Sequence, residues 1–541
     1  MPFLLGLDLR IIKEEEIKMK KLIALLMVVV MAMGMFAGCN QGGNVTHLDI
    51  DVDLPYEMDE SGKVLDDYFD GVEIEWWFSS TYGLNNDLYL FKKLEEVIGC
   101  KINVVCYSAE DYRVKLNAAL NSNDLPNMCA MLAQHPVYNM YGDLGSFVNL
   151  LDEATLNRMP NFKKQILDNP ECQEQLGFYK SEAGGLYGMV RYDTERTVNF
   201  GWMYREDIFE KHDIEMWTDS ESFLAVARKL KELYPESYPV GGASMESVFN
   251  RVCCNYGFNS TTKAYDWDTK TWYLGATDEG FFEMMKLFQT LYDEALLDPD
   301  CFNNGTNHLD EGVFNNTNFM FNSWIGRMSV ENTYAKNYPN MVDDGFHMAY
   351  APHIGSGVGD KLGKIGLNGT VINAQKDPKE VEACMAIYNY LYSEEGIQVM
   401  TMGEEGVTFD TVDGVRVYKN PDGSVMDNPT IQTLEERYGL WNGSTYVMAS
   451  KESPYFTYTP EEAEAQTIGV KNGSLQGAPV VSVPQKYASL YNDLSTELEK
   501  EVKAYCQRFI RDGHGRDQWL EQCAKWEKDY GDLFAILNGT Y

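Results

Sequence analysis

The sequence predicts an α/β protein whose parallel sheets are doubly wound with helices. Two patterns predict it. Apolar β-type runs and amphipathic helices alternate across residues 72–132 in the order strand, helix, strand, helix, strand. The same alternation resumes near Tyr187 and continues to Gly396, ahead of a turn-rich stretch and a helical tail.

The elements follow in order. Val72–Phe78 is a short apolar run of β type. Leu88, Phe91, Leu94, Val97 and Ile98 recur at helical spacing, and Gly99 stands where a C-terminal cap belongs. Lys101–Tyr107 reads as a second strand. Ser108 and Asp111 have the spacing of a capping box for a helix carrying Leu116, Ala119 and Leu120. Asn127–Leu132 is a third strand. Tyr187–Tyr192 and Phe200–Tyr204 are extended. Thr218 and Glu221 form a capping-box spacing before Phe223, Val226, Ala227, Leu230 and Leu233. Phe281, Met285, Phe288 and Tyr292 mark another helix. Asn318–Phe321 and Thr370–Ile372 are strands. Asp377, Pro378 and Glu380 open a helix whose stripe is Val381, Met385, Tyr388, Leu391 and Tyr392, with a stop at Gly396. Turns dominate from Thr411 to Tyr458, and Tyr487–Leu537 is mostly helical.

The N-terminal region has the layout of a secretory signal. Lys20 and Lys21 precede an uncharged stretch from Leu22 to Gly38, and small residues lead into Cys39. Phe36–Cys39 resembles a bacterial lipobox, which implies diacylglycerol on Cys39. Acidic residues 14–16 do not suit an n-region, so translation is expected to begin at Met19. Residues 1–38 are therefore expected to be removed, and 39–65, rich in Gly, Asn and Asp, to form a flexible tether.

Residues 1–38 hold five basic and four acidic side chains, leaving 40 basic against 78 acidic beyond them, a formal charge of −38. Such a surface repels nucleic acid and anionic headgroups. Ten cysteines follow Cys39 with irregular spacing and no C-x-x-C, as free buried thiols do.

Six stretches, in order, resemble the extracellular solute-binding lipoproteins of ABC importers, family 1, in the carbohydrate-type branch of Gram-positive bacteria. They are Lys115–Pro126, Leu186–Val190, Met203–Phe209, Leu291–Asp300, Asn368–Gly396 and Met402–Gly406. In the first, Asn123 replaces the family's usual Gly and Asn127 its second Asp. The resemblance implies two α/β lobes of the type II periplasmic-binding fold, a multi-stranded hinge and a ligand in the cleft between them. Lobe 1 is expected at 66–195 plus 350–408, and lobe 2 at 196–349 plus 409–541. The implied function is capture of a sugar or oligosaccharide and delivery to an ABC permease, by a monomer anchored through Cys39 on the extracellular face of the membrane. No cofactor, metal or catalysis is implied.

A sugar site needs aromatic plates for C–H faces and polar side chains for hydroxyls. Trp324 is the first choice, because Phe319–Trp324 resembles the strand-then-Trp element that stacks on sugar in maltose-type binding proteins. Arg327 stands three residues on, able to clamp a hydroxyl pair or a carboxylate. Ser79, Ser80, Tyr82 and Asn85 follow the first strand, where a doubly wound lobe faces its cleft, and Tyr82 is the candidate among them. Trp76 and Trp77 point to opposite faces, and Trp77 is taken as the one that reaches the cleft. Asp124 precedes the third strand; Trp202 and Arg205 flank the crossover; Glu405 follows the return helix; Trp441 lies in the turn-rich region.

No zinc helix, phosphate loop or Gly-x-Ser-x-Gly elbow occurs. Gly355–Gly359 fails dinucleotide spacing, Asp298–Asp300 fails as a calcium loop, and Asp266–Asp268 reads as a hairpin turn. Two other classes stay open: a secreted carbohydrate-active hydrolase, which needs only two facing carboxylates, and a peptide or sensory receptor of the same fold.

Overall fold

The computed structural model describes residues 48, 50–80, 82–130, 135–192, 198–242, 245–302, 306–336, 341, 345–355, 358–361, 365–427, 429–449, 459–481 and 483–541. Cys39, and with it the expected signal and anchor, lies outside the described residues.

The strands are β1 (Glu73–Ser79), β2 (Lys101–Tyr107), β3 (Met128–Ala130), β4 (Val190–Tyr192), β5 (Phe200–Arg205), β6 (Val240–Gly241), β7 (Lys263–Asp266), β8 (Thr271–Leu274), β9 (Met320–Trp324), β10 (Met348–Ala351), β11 (Gly359–Lys361), β12 (Ile365–Leu367), β13 (Thr370–Ile372), β14 (Phe409–Val412), β15 (Val415–Tyr418) and β16 (Ser474–Gln476). The helices used below are α1 (Tyr89–Ile98), α2 (Ala109–Ser122), α3 (Glu153–Arg158), α4 (Ser220–Leu233), α5 (Met245–Val252), α6 (Glu279–Asp293), α7 (Arg327–Ala335), α8 (Pro378–Leu391), α9 (Glu394–Thr401), α10 (Ile431–Tyr438), α11 (Pro460–Asn472), α12 (Ala488–Arg511) and α13 (Arg516–Leu537).

Two four-stranded sheets organise them. The first has the order β13-β3-β1-β2, with β2, β1 and β3 parallel and β13 antiparallel at the edge. The second has the order β10-β5-β9-β6; only β6 and β9 run parallel, so this sheet is mixed. Each sheet has its own apolar core. One gathers Trp76, Phe78, Phe91 and Tyr388; the other gathers Trp202, Trp217, Phe281 and Trp526.

Local chemistry explains the helix ends. Gly99 takes φ +82° and its N–H returns to the Glu95 carbonyl, as expected of a C-terminal cap. Ser108 accepts from the Asp111 N–H at the start of α2. The expected box at Thr218 and Glu221 falls one residue later: Asp219 caps α4, accepting from the Ser222 N–H, while the Asp219 N–H donates to Ser222 Oγ. Asp377 caps α8 with Pro378 in the first turn. Gly396 does not end that helix. α8 stops at Leu391, Ser393 caps α9, and Gly396 lies inside α9 where a Cβ would overlap the Tyr390 carbonyl. The glycine allows a close approach rather than a stop.

α8 is buried all round, from Val381 to Leu391. A helix in that position can hold a carboxylate only if it is paired. Glu382 accepts from Arg158 Nη2 at 2.7 Å, and its other oxygen accepts from the Tyr68 hydroxyl at 2.7 Å. Arg158 spends its remaining donors on the carbonyls of Ala154, Asp51 and Asp53. Those last two bonds dock the segment expected to be a flexible tether. Tyr56 and Val64 are buried, so the ordered body begins well before residue 66.

The division between cores also differs from the expected lobe limits. Phe409, Tyr418, Leu434, Tyr438 and Trp441 pack in the first core, not the second, and Tyr350 and Ile354 pack with the second sheet. The chain therefore returns to the first core nearer Ile365 than residue 350. The reason is pairing: β10 adds to β5, whereas β12 adds to β4. The ten cysteines beyond Cys39 form no disulfide, and nine are buried.

His347 fastens α11 to the second sheet by bridging Glu206 at 2.6 Å and Glu461 at 2.8 Å. Burial alone would lower its pKa, but the bonds from Glu461 and Glu206 outweigh it and raise the value above 6.5. Glu461 is held low.

Two expectations follow from these ion pairs. Arg158→Ala should cost about 3–5 kcal/mol by leaving Glu382 buried and unpaired, and the Arg158→Met/Glu382→Leu double variant should recover most of that in denaturant titration. A raised histidine pKa stabilises fully below the unfolded value and fades as pH rises through the folded one. The melting difference between wild type and His347→Gln should therefore be largest near pH 6 and shrink toward pH 9; a difference that grows with pH would contradict the bridge.

Candidate functional site

Tyr192 packs in the first core and Trp202 in the second; Ile354 belongs to the second and Ile365 to the first; Ala449 belongs to the first, and Ala465 packs with the second sheet, so the chain changes body three times between these residues. These crossings select one end of each sheet. Phe200, the first residue after a crossing, pairs with Trp324 at the C-terminal end of β9. The return enters β12 and then β13, whose Thr370 pairs with Ala130 at the C-terminal end of β3. In open α/β sheets the carboxyl ends of the strands are where ligands bind.

The first of these edges is polar. Ser80 follows β1 and donates to Glu435 Oε1 at 3.0 Å; Asn442 Nδ2 donates to the same oxygen at 2.8 Å. Burial pushes the Glu435 carboxyl up, against the pull of those two bonds. Glu435 is delivered by α10, which Thr430 caps and Gly439 ends at φ +78°. The loop beyond Gly439 floors the edge: the Ser444 carbonyl accepts from Asn368 at 2.7 Å, from Thr370 at 3.3 Å and from the Tyr388 hydroxyl at 2.6 Å. Tyr82, 38% exposed, hangs its N–H on Ser80 Oγ.

The second edge is aromatic. Trp324 is half-buried at the end of β9, and Phe200 faces it across the ladder. The Arg251 guanidinium lies over the Phe200 ring at 4.2 Å. Gly326 makes room for this arrangement, since a Cβ there would overlap the Trp324 ring. Gly201 similarly admits the Tyr350 phenol, which donates to the Phe200 carbonyl at 3.4 Å. His353 behind it is pushed down to about 4 by burial and stays neutral. Aromatic faces opposite hydroxyl, amide and carboxylate groups can hold a molecule that is apolar on its faces and polar on its rim.

Of the residues singled out from sequence, Trp324 and Tyr82 stand at these edges. Trp441 is only 6% exposed and packs behind the first edge, its ring 5.1 Å from Tyr446. The others lie elsewhere. Trp77 packs against the cluster that contains α2, bonded to Glu75 at 2.6 Å with its ring 5.5 Å from Tyr107. Asp124 is exposed at the N-terminal end of β3, opposite the carboxyl edge. Trp202 is fully buried with its ring 4.8 Å from Phe223. Arg205 is held by Asp207 at 2.8 and 2.7 Å, by Asn316 and by the Val313 carbonyl. Arg327 is buried and paired with Glu331 at 2.9 Å and with Asp310. Glu405 is exposed beyond α9, beside Glu404, which pairs with Lys93. Strand alternation separated Trp76 from Trp77 correctly, but not which face is covered by helix.

Sequence reasoning missed Phe200 as a site residue, together with Arg251, Glu435 and Asn442. Phe200 had a signal, being the first strand residue past the crossover. Arg251 had a weaker one, in the helix that follows Gly241 and Gly242. Glu435 and Asn442 had none, because their partner Ser80 is 355 residues from Glu435 in sequence.

Residues 90–408 match a family described as bacterial extracellular solute-binding protein. No curated protein matches the chain significantly in sequence. Among solved structures, the fold is similar to alginate-binding protein AlgQ2 without calcium ion, at 17% identity over 87% of this chain and 98% of that one, TM-score 0.66. It is similar to the Streptococcus pneumoniae ABC-transporter substrate-binding protein FusA in complex with kestose, at 16% identity over 86% and 98%, TM-score 0.63. It is also similar to a solute-binding protein from Bifidobacterium longum infantis associated with an HMO-binding ABC transporter, at 13% identity over 87% and 99%, TM-score 0.65. At these identities the likeness shows the fold, with two lobes as in those proteins.

The contact between Gly326 and the indole makes a direct expectation. Gly326→Ala should displace the Trp324 ring. With 5-fluorotryptophan labelling, the one resonance that disappears in Trp324→Phe should shift in Gly326→Ala, and an unmoved resonance would refute the contact.

Proposed function

The chain belongs to the bacterial extracellular solute-binding proteins, and from that premise we propose that it captures a sugar or oligosaccharide between its two strand edges and delivers it to an ABC permease. One observation carries the reading: the Trp324–Phe200 pair with its Arg251 lies on one carboxyl edge, and Ser80, Glu435 and Asn442 on the other. A pyranose presents C–H faces to rings and hydroxyls to paired polar groups, which matches this division. That the compared structures include a kestose complex and an HMO-associated protein supports the same substrate class.

Closure of the two lobes about the crossings would bury the ligand and offer a composite surface to the permease. In this reading lobe 1 takes residues 50–192 and 365–449, and lobe 2 takes 200–354 and 460–541. The protein acts as a monomer on the extracellular face, held by lipid on Cys39; no helix among the described residues is long and apolar enough to cross a membrane. It performs no chemistry. A hydrolase would need two facing carboxylates, and this reading assigns no such pair.

A melting-shift screen over mono- and oligosaccharides tests this, because a ligand bound only to the native state raises the melting temperature. Trp324→Ala should lose the strongest shift, about tenfold in affinity for one lost stacking contact, with the unliganded melting point almost unchanged. Release of shorter sugars would instead identify a hydrolase, and collapse of the unliganded variant would return Trp324 to the core.

A further inference from the structure

The β7–β8 hairpin of the second body carries a groove that shares no residue with the site above. Its volume is about 770 Å³, within the range of small-molecule sites. Four aromatic residues line it, Phe258, Tyr265, Trp267 and Tyr273. Trp267 is held in place: its indole N–H donates to the Gly477 carbonyl at 3.0 Å, and Tyr265 and Phe178 meet it edge-to-face with centroids at 5.0 and 6.1 Å. Asn259 ties the hairpin to β16, donating to the carbonyls of Tyr265 and Gln476 and accepting from the Tyr265 N–H. The plate is thus built before any ligand arrives.

The rim selects the ligand. Among the described residues no lysine or arginine lines the groove, while Asp266, Asp268 and Asp278 do, so polyanions are repelled. An apolar guest would leave the rim's hydroxyls and amides unpaired. The carboxylates do not converge on a metal position: no metal-holding group of acids occurs among the described residues. Two of them are already engaged. Asp266 accepts from the N–H groups of Asp268 and Thr269, and Asp278 caps α6 and accepts from the Tyr273 hydroxyl at 3.3 Å. Beside these carboxylates the rim offers neutral donors and acceptors, including the paired hydroxyls of Thr269 and Thr271 at 2.7 Å. An organic cation, which wants uncommitted carboxylates over the rings, is served less well.

From this geometry we propose that the groove at Trp267 is a second saccharide-binding site, for a neutral sugar chain. Its position gives it a consequence. The same indole walls an adjoining cavity of about 200 Å³, whose other walls include Phe178, Tyr179 and Ile365 from the first body. A chain long enough to pass from the groove into that cavity touches both bodies, so binding there favours the arrangement in which Phe178 and Trp267 are in contact.

Fluorine NMR of 5-fluorotryptophan-labelled protein carrying Trp324→Ala, titrated with maltotriose, cellotriose and 1-kestose to millimolar concentration, tests it, because the resonance that disappears in Trp267→Phe reports this groove. At least one probe should shift that resonance, and adding Asp268→Arg should weaken the affinity read from it about tenfold or more. Asp268 is exposed in the hairpin turn, so its replacement keeps the fold readable. The proposal is overturned if no probe shifts that resonance, if the affinity is unchanged in Asp268→Arg, or if tetramethylammonium or spermidine shifts it and the sugars do not. Loss of wild-type affinity in Trp324→Ala bears on the first site only, so the two readings fail separately.

Discussion

One chain contributes separated segments to two bodies, each built on its own four-stranded sheet, and that constraint organises the rest. Each crossing must leave one sheet and enter the other without stranding backbone polar groups. The structure meets this by pairing the segments on either side: β4 with β12 in the first body, and β5 with β9 and β10 in the second. Phe200 and Trp324 pair at the C-terminal end of β9, and Ser80, Glu435 and Asn442 meet beyond the end of β1.

The two sides are held by different physics. The aromatic side depends on close approach: glycines at 201 and 326 give room that any side chain would fill. The polar side depends on hydrogen bonds between distant segments, with a loop near residue 444 receiving three donors through one carbonyl region. Each side also holds one charged group in place, Glu435 by the Ser80 and Asn442 donors and Arg251 over the Phe200 ring. Where arginines near the crossover are buried, as at 205 and 327, their donors are taken up by acids of the same body. They hold the second core.

Much of the fold was legible because it rests on short-range signals. Gly99 ends its helix, Ser108 and Asp377 begin theirs, and Lys101–Tyr107 and Thr370–Ile372 form strands within the expected limits. The errors came where a local rule met a distant partner. Gly396 looks like a stop, yet serves the packing of α9 on the Tyr390 carbonyl. Residues 50–65 look like a tether by composition, yet two of their carbonyls are needed by an arginine more than a hundred positions away. The turn-rich stretch after Thr411 looks peripheral, yet it completes the first core.

The candidate site divides the same way. From sequence alone come the α/β class, the helix caps, the strand that ends in Trp324 and the family likeness, since each is written in residues that are neighbours or a helical turn apart. Only the tertiary structure decided which aromatics stand half-buried at a strand end and which are core, and that Glu435 meets Ser80. Depth of burial and hydrogen-bond partnership depend on segments hundreds of residues apart, and side-chain periodicity carries no record of what lies across the gap.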